Sequence, residues 1–182
     1  MGYKIKDGQA TIDTSKEWLA PLDLDNKDLT SIAFKNLDNA RIWKLKLNYN
    51  QLTSLPVEIG RLTGLRELWL DNNQLTSLPV EFGRLTGLTT LWLDSNQLTS
   101  LPVEIGRLTG LRYLHLNSNQ LTSLPVEIGR LTVYSLDLRN NPLTTPPMEV
   151  CKKGITAIRA YFLEHPTMSN ADASRCVDAS RD

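Results

Sequence analysis

The chain has 182 residues, equal numbers of basic and acidic side chains, and a hydrophobic fraction of 41%. This length suits a single domain. Zero net charge disfavours nucleic acid or a membrane surface as partner, because both require clustered lysine and arginine. No apolar run reaches the roughly 18 residues of a membrane span, and residues 1–7 lack the apolar stretch of a secretion signal. We therefore predict a cytoplasmic protein, with an extracellular location left open.

The first 18 residues predict a cap that covers one end of the domain. The Asp7-Gly8 pair separates two short stretches, 3–6 and 9–12, that alternate in polarity. Asp-Gly is typical of a tight hairpin turn, so these stretches are predicted to form a β-hairpin. Residues 14–17 resemble the start of a helix, and we expect Trp18 and Leu19 to cover the apolar end of the domain.

Residues 19–146 form an internal repeat. A 13-residue stretch that begins at Gln51 returns at Gln74, Gln97 and Gln120, a spacing of 23 residues, and its only change is Phe82 in place of isoleucine. A fixed period of this length predicts a repeat array. One worn copy, four full copies and one short copy are recognisable, and they begin at Leu19, Ile42, Leu65, Leu88, Leu111 and Val133.

Each copy predicts a short strand followed by an outer arc. The leucines at positions one, four and six of a copy cannot be buried by one copy alone, so stacked copies must share a core. The asparagine at position nine is predicted to satisfy main-chain groups where the chain leaves the strand. The prolines fit an outer arc that makes no sheet hydrogen bonds. The leucines at position six are Leu47, Leu70, Leu93, Leu116 and Leu138. The asparagines are Asn50, Asn73, Asn96, Asn119 and Asn141, and the prolines are Pro56, Pro79, Pro102 and Pro125.

Two charged rows are predicted on the outer arc. Each glutamate precedes an arginine by three residues, so the two rows can partly neutralise each other. A solvated face repeated by duplication and a charged docking stripe both fit this pattern. The rows are Glu58, Glu81, Glu104 and Glu127, and Arg61, Arg84, Arg107 and Arg130.

A second cap is predicted at residues 147–165. Apolar residues recur at helical spacing, which indicates a helix from about Gly154 to Glu164. Residues 166–182 form a small, polar tail that contains Cys176. The sequence leaves two alternatives for these cysteines: a disulfide between Cys176 and Cys151, or two unpaired thiols.

The repeat pattern, Leu-x-x-Leu-x-Leu-x-x-Asn-x-Leu-x-x-Leu-Pro, resembles the leucine-rich repeat family in its 23-residue Leu-Pro form. The segment 147–162 resembles the terminal cap of intracellular Ras-group and Roco-type members. The resemblance implies an α/β fold: a right-handed solenoid with a concave parallel sheet and short helical turns on its convex side.

Nearly all variation among the full copies falls on strand positions whose side chains point away from the core. We interpret this split as a fixed scaffold that displays a varied binding surface. Trp69, Trp92, Tyr113 and His115 are predicted to be the anchors, with the two tryptophans side by side. Stacking of the tryptophans on each other is the structural alternative. The predicted partner-binding residues are Lys44, Lys46, Glu67, Trp69, Asp71, Trp92, Asp94, Tyr113, His115, Asp137 and Arg139.

The sequence predicts a monomeric, non-enzymatic protein-binding module without catalytic residues, metal or cofactor. The acidic centre formed by Glu67, Asp71 and Asp94 suggests a partner with a basic segment. A pair of carboxylates, Asp71 and Asp94, falls far short of a calcium shell. Two alternatives stay open: a scaffold segment of a larger signalling regulator, and recognition of a carbohydrate or surface ligand.

Overall fold

The computed structural model describes residues 3–14, 21–37 and 42–166. Within these ranges, a six-stranded parallel sheet runs through the repeats, and each repeat strand pairs with the strand of the following copy. Its strands share one register, so that Leu45, Leu68, Leu91 and Leu114 are paired in line. The strands are Leu22–Asp23 (β3), Lys44–Lys46 (β5), Glu67–Trp69 (β6), Thr90–Trp92 (β7), Tyr113–His115 (β8) and Ser135–Asp137 (β9).

The arc opposite the sheet is formed by short 3₁₀ helices, which replace the longer connection that parallel strands usually need. Each helix follows a proline whose φ, −67° at Pro56, suits a helix start. The helices described on this arc are Val57–Arg61, Val80–Arg84, Val103–Arg107 and Val126–Arg130. This arrangement confirms the predicted α/β solenoid with short helical turns.

The core lies between the sheet and this arc. The leucines at positions one, four and six are fully buried in the central copies, as Leu65, Leu68 and Leu70 illustrate. Phe82, the single substitution in the repeated stretch, is also fully buried. Burial of one such side chain stabilises the fold by about 1.5–3 kcal/mol, so the array gains its stability from stacking.

The predicted asparagine ladder is confirmed. Asn96 Oδ1 accepts the main-chain N–H of Leu75 at 3.0 Å. Its Nδ2 donates to the carbonyl oxygens of Leu70, at 2.9 Å, and Leu93, at 3.1 Å. One amide therefore satisfies main-chain groups in its own copy and in the copy before it.

The glycines of the outer arc permit close stacking of neighbouring copies. A Cβ placed on Gly83 would lie 2.6 Å from Cβ of Glu104 in the next copy, closer than side chains tolerate. At Gly129, the last of the series, the nearest atom to such a Cβ is 3.6 Å away and belongs to Arg159. Each glycine except the last is therefore required by the copy that follows it.

The N-terminal end has a sheet of its own. Strands β1 (Tyr3–Lys6) and β2 (Gln9–Asp13) form an antiparallel hairpin with the turn at Asp7 and Gly8. Strand β4 (Ser31–Lys35), which the sequence analysis missed, pairs with β2 in parallel. The helix start predicted at 14–17, together with Trp18 and Leu19, lies outside the described residues except for Thr14.

The C-terminal end is covered by two helices, α1 (Met148–Cys151) and α2 (Ile155–Glu164). Gly154 joins them with φ of 88°, a left-handed conformation that favours glycine. Arg159 on α2 donates to the carbonyl oxygens of Gly129, at 2.7 Å, and Leu131, at 3.0 Å. The Cys151 thiol is free and buried, whereas Cys176 lies outside the described residues.

Candidate functional site

The predicted partner-binding residues lie along one surface of the six-stranded sheet. Because side chains alternate across a strand, inward leucines at positions four and six leave positions three, five and seven facing away from the core. We call this surface, from β5 to β9, the concave face. Position three carries Lys44, Glu67 and Tyr113; position five carries Lys46, Trp69, Trp92, His115 and Asp137; position seven carries Asp71, Asp94 and Arg139.

Three position-five rings stack in a row along the concave face. The ring centroids of Trp69 and Trp92 are 4.4 Å apart with planes inclined by 16°. Those of Trp92 and His115 are 5.6 Å apart at 7°. The in-register pairing of β6, β7 and β8 produces this aromatic row, defined as Trp69, Trp92 and His115. The two tryptophans are thus side by side, as predicted. They also stack on each other, which is the structural role given above as the alternative to binding.

Two lysines lie over the ring of Trp69, at the first end of the aromatic row. The ammonium groups of Lys44 and Lys46 lie 4.0 and 5.0 Å from the ring centroid of Trp69, within cation–π range. Lys44 pairs with Glu67 at 2.8 Å, and Lys46 pairs with Asp23 at 2.9 Å. Because both lysines have acidic partners, their positive charges are largely neutralised.

The carboxylates at position seven have a structural role that the sequence analysis missed. Asp71 Oδ1 accepts the main-chain N–H of Asp94 at 2.8 Å, and Asp94 Oδ1 accepts that of Asn117 at 2.7 Å. Asn48 and Asp25 make the equivalent bonds in earlier copies. We call these four acceptors the position-seven ladder. The recurrence of Asp or Asn at this position was a signal that could have revealed it.

Burial makes the two central carboxylates unusual acids. It raises the pKa of Asp71 to about 6, against the opposing effect of the hydrogen bond from Asp94. Burial also raises the pKa of Asp94, while its hydrogen bond with Asn117 and the nearby His115 act in the other direction. His115 Nδ1 lies 3.8 Å from Asp94 Oδ2, so this carboxylate borders the aromatic row.

Tyr113 belongs to a different cluster from the tryptophans. Its ring meets that of Tyr134 edge to face, with centroids 6.4 Å apart and planes at 78°. Tyr134 is 77% exposed, and the guanidinium of Arg112 lies 5.5 Å from its ring. The expected association of Tyr113 with the tryptophans is therefore replaced by a tyrosine pair. Tyr134 was overlooked because the shortened last copy obscures its register.

At the β9 end of the concave face, Asp137 and Arg139 form an ion pair with each other. Arg139 Nη2 donates to Asp137 Oδ2 at 2.6 Å, and this hydrogen bond lowers the pKa of Asp137. Glu67 likewise forms an ion pair with Lys44. Of the three residues predicted to form the acidic centre, Asp71 and Asp94 therefore remain. In the described ranges, no group of three or more His, Cys, Asp or Glu side chains could hold a metal ion. None of the helices in those ranges approaches the length and apolar content of a membrane crossing.

Comparisons with known proteins agree with this architecture. Residues 40–98 match the family model for the leucine rich repeat, and residues 86–127 match a model for two copies of leucine rich repeats. A comparison with curated protein sequences gives no match.

Several solved structures share the fold. A leucine-rich repeat protein of Leptospira interrogans is 41% identical over 64% of this chain, with a TM-score of 0.56. The ectodomain of the Arabidopsis thaliana membrane receptor kinase GASSHO1/SCHENGEN3, in complex with CASPARIAN STRIP INTEGRITY FACTOR 2, is 39% identical over 67%, with a TM-score of 0.61. An internalin from Listeria monocytogenes is 27% identical over 64%, with a TM-score of 0.52.

All three structures are much longer than the region they share with this chain. The matched region spans 33%, 15% and 36% of their respective lengths. The family matches, the in-register parallel sheet and the asparagine ladder agree with one another, and together they identify the fold of this chain as a leucine-rich repeat solenoid.

Proposed function

We propose that this chain is a non-enzymatic interaction module that binds a protein partner on its concave face. Leucine-rich repeat solenoids generally serve as protein–protein interaction modules. The plant receptor ectodomain, one of the similar structures, was solved in complex with CASPARIAN STRIP INTEGRITY FACTOR 2. The observation that carries the proposal is the aromatic row, which presents large, partly exposed rings in a fixed arrangement.

The aromatic row has the properties of a binding hot spot. Trp69 and Trp92 hold each other in place by stacking, so that little side-chain freedom is left to lose when a partner binds. Within the described chain, neither indole N–H has a hydrogen-bond acceptor. Unpaired buried donors are uncommon in proteins, so these two N–H groups would gain an acceptor if a partner carbonyl reached them.

Charge favours a partner with a basic segment. Asp71 and Asp94 border the aromatic row, whereas Lys44, Lys46 and Arg139 are each engaged with a carboxylate. A lysine or arginine of the partner, placed over Asp94, would meet a carboxylate beside the aromatic row. The two carboxylates are therefore proposed to set charge preference and the rings to supply most of the affinity.

Alanine substitutions at both tryptophans test the anchors. Partners captured by the wild-type chain should be lost with Trp69→Ala/Trp92→Ala. They should be retained with Val57→Ala/Val80→Ala, which removes half-exposed apolar groups from the convex side. Circular dichroism and thermal denaturation of each variant check the fold. Equal capture by both folded variants would exclude the concave anchors.

A second variant separates charge from folding. Asp71→Asn/Asp94→Asn keeps an acceptor oxygen at both positions, as Asn48 does naturally in the copy before. Binding to a basic partner should weaken at least tenfold, and the effect should shrink in high salt because screening reduces charge interactions. An unchanged affinity would remove the basic-segment part of the proposal.

A scaffold role within a larger signalling regulator is the first alternative. The similar structures extend far beyond the region they share with this chain. A reading frame that continues past Asp182 into a catalytic or regulatory domain would support that role. A frame that ends there would support a self-contained module.

Carbohydrate recognition receives less support from the geometry. Sugars stack on free aromatic faces, but Trp92 covers one face of Trp69 and the two lysines lie over its ring. His115 likewise stacks on Trp92. A glycan array with strong, tryptophan-dependent binding would reverse this ranking.

A further inference from the structure

Among the described residues, the last strand of the large sheet has a neighbouring strand on one side only. In each earlier full copy, the main-chain N–H of the position-six leucine donates to the next strand, as Leu116 does to the carbonyl of Asp137 at 2.8 Å. The position-eight N–H donates in the same way. Leu138 and Asn140 occupy these positions in the last copy, and within the described part of the chain neither N–H has an acceptor. Unpaired groups of this kind invite pairing with another strand.

A cavity of about 330 Å³ lies along this edge, between β9 and α1. All the residues from Ser135 to Arg139 line it, so the cavity follows the strand rather than a single side chain. Met148 and Cys151 belong to its opposite wall. The cap covers the last copy less completely than a further copy would, because Leu136 is only partly buried, whereas Leu114, at the same position in β8, is fully buried.

The internal copies show how a strand is added at such an edge. Leu47 donates its main-chain N–H to the carbonyl of Trp69 at 2.8 Å. Tyr49 donates to the carbonyl of Asp71 at 2.9 Å, two residues further along the same strand. The leucines at positions four and six of that strand point into the core. A strand added to β9 in the same way would run parallel to it and turn two alternate side chains, which should be apolar, towards the cavity.

Charge defines the other two positions of the added strand. In the register that the other copies share, its position-five side chain would lie beside Asp137 and its position-seven side chain beside Arg139. Lys44 and Glu67, which face each other across β5 and β6, show that this register brings opposite charges to 2.8 Å. A basic residue at position five and an acidic residue at position seven therefore complement the edge of β9.

We propose that the edge of β9 receives an extended segment of a partner protein, with the pattern apolar–basic–apolar–acidic, as an additional parallel strand. The N–H groups of Leu138 and Asn140 would donate to the carbonyls of the basic and the acidic residue. The two apolar side chains would enter the cavity. Burial raises the pKa of the Cys151 thiol to about 11, so this wall of the cavity stays uncharged at neutral pH. The site is separate from the aromatic row.

Hydrogen exchange of the full chain with a synthetic peptide tests the proposal. The probe is the peptide Thr-Val-Lys-Val-Glu-Thr, acetylated and amidated at its ends. At saturating peptide, the amides of Leu138 and Asn140 should exchange about tenfold more slowly than without it, because pairing protects an amide from exchange. The amide of Leu116, which is already paired within the sheet, should keep its rate.

A charge reversal provides the matched control. The peptide Thr-Val-Glu-Val-Lys-Thr has the same composition with the charges exchanged, and it should bind the wild type about fivefold more weakly. Asp137→Lys/Arg139→Glu exchanges the charges of the edge and keeps a pair of opposite charges on the strand. This variant should prefer the second peptide. Trp69→Ala/Trp92→Ala should bind both peptides as the wild type does.

Four results would overturn the proposal. The first is an unchanged exchange rate of Leu138 and Asn140 in the presence of the first peptide. The second is equal affinity for the two peptides in both the wild type and the charge-reversed variant. Slow exchange of both amides before any peptide is added would show that the edge is already covered, by the chain itself or by a second copy. Loss of peptide binding in the folded double-tryptophan variant would place the peptide on the aromatic row.

The test of the β9 edge and the test of the concave anchors fail independently. The first is measured at two amides that no tryptophan contacts through a hydrogen bond. The second is measured by the capture of a partner on the aromatic row.

Discussion

The carboxylate of Asp71 accepts the main-chain N–H of Asp94 across neighbouring strands, with Oδ1 and N separated by 2.8 Å. Asp94 repeats the contact with Asn117 in the next copy. Two residues that border the candidate binding surface therefore also hold the copies together. Asp-to-Ala substitutions remove both the charge and the acceptor oxygen, so they change stability and binding together. Asp-to-Asn substitutions remove the charge but keep the acceptor oxygen that joins the copies.

Asp71→Asn should stabilise the protein above pH 6 and flatten its stability between pH 4 and 6. Burial raises the pKa of Asp71 to about 6 in the folded chain, above the ordinary 3.8 of an unfolded aspartate. The folded state therefore binds more protons between these values, and its free energy of unfolding falls as the pH rises through them. Asparagine keeps the acceptor and removes the titration. We expect a gain of about 1 kcal/mol at pH 7, a value reduced for solvent screening.

Urea denaturation at pH 4, 5, 6 and 7 measures this difference. Asp71→Ala is the matched control, because it removes the acceptor together with the charge and should destabilise the protein at every pH. A difference between the wild type and Asp71→Asn that does not change with pH would contradict the assigned cause.

Asn96→Ala should destabilise the array by about 2–4 kcal/mol. The substitution leaves the N–H of Leu75 and the carbonyls of Leu70 and Leu93 without their amide partner, and each unpaired buried group costs about 1–3 kcal/mol. Guanidinium denaturation gives the value. The adjacent, exposed Gln97→Ala should change stability by less than about 0.5 kcal/mol. Similar losses at the two positions would argue against the ladder as the cause.

Gly83→Ala and Gly129→Ala should differ although both lie in a Glu-x-Gly-Arg context. The added methyl group of the first meets Cβ of Glu104 at 2.6 Å, so neighbouring copies must move apart. Overpacking of this kind typically costs about 1–3 kcal/mol. At Gly129 the nearest atom is 3.6 Å away, an ordinary contact, and the melting temperature should stay close to that of the wild type. Equal melting temperatures of the two variants would show that the convex side adapts freely.

Arg159→Ala should loosen the C-terminal cap without melting the whole array. Its guanidinium bonds the carbonyls of Gly129 and Leu131, and hydrogen bonds to charged groups contribute about 1.5–3 kcal/mol in total for such a site. Amide exchange in α2 should accelerate, while amides near Leu68 keep wild-type rates. Lys153→Ala, on the exposed surface between α1 and α2, is the control. Uniform acceleration throughout the chain would indicate global destabilisation.

The repeat could be read from the sequence because its structural constraints recur. A leucine or an asparagine that meets the same surroundings in each copy returns every 23 residues, as Asn73 and Asn96 do. The position-seven ladder was harder to recognise, because Asn48 and Asp71 provide the same acceptor oxygen with different charge. In the sequence, an exchange of Asn for Asp resembles the variation of an exposed position, although the acceptor oxygen is conserved.

Features at the ends of the array were predicted less well because they occur once. Strand β4 lies in the worn first copy, where Ser31–Lys35 pairs with β2 of the hairpin. Pairing of Lys46 with Asp23, and of Tyr113 with Tyr134, likewise depends on contacts between imperfect copies. The full copies predict one another, but they carry little information about the residues that end the array.

The asparagine ladder also makes the length of the array adjustable. Asn96 bonds its own copy and the preceding one, and it receives its main-chain donor from that same preceding copy. An additional 23-residue unit inserted between two full copies would meet the contacts that its neighbours already make. Each insertion would lengthen the sheet by about 4.8 Å. Recombination between near-identical copies would thus change the length of the concave face without a new core having to evolve.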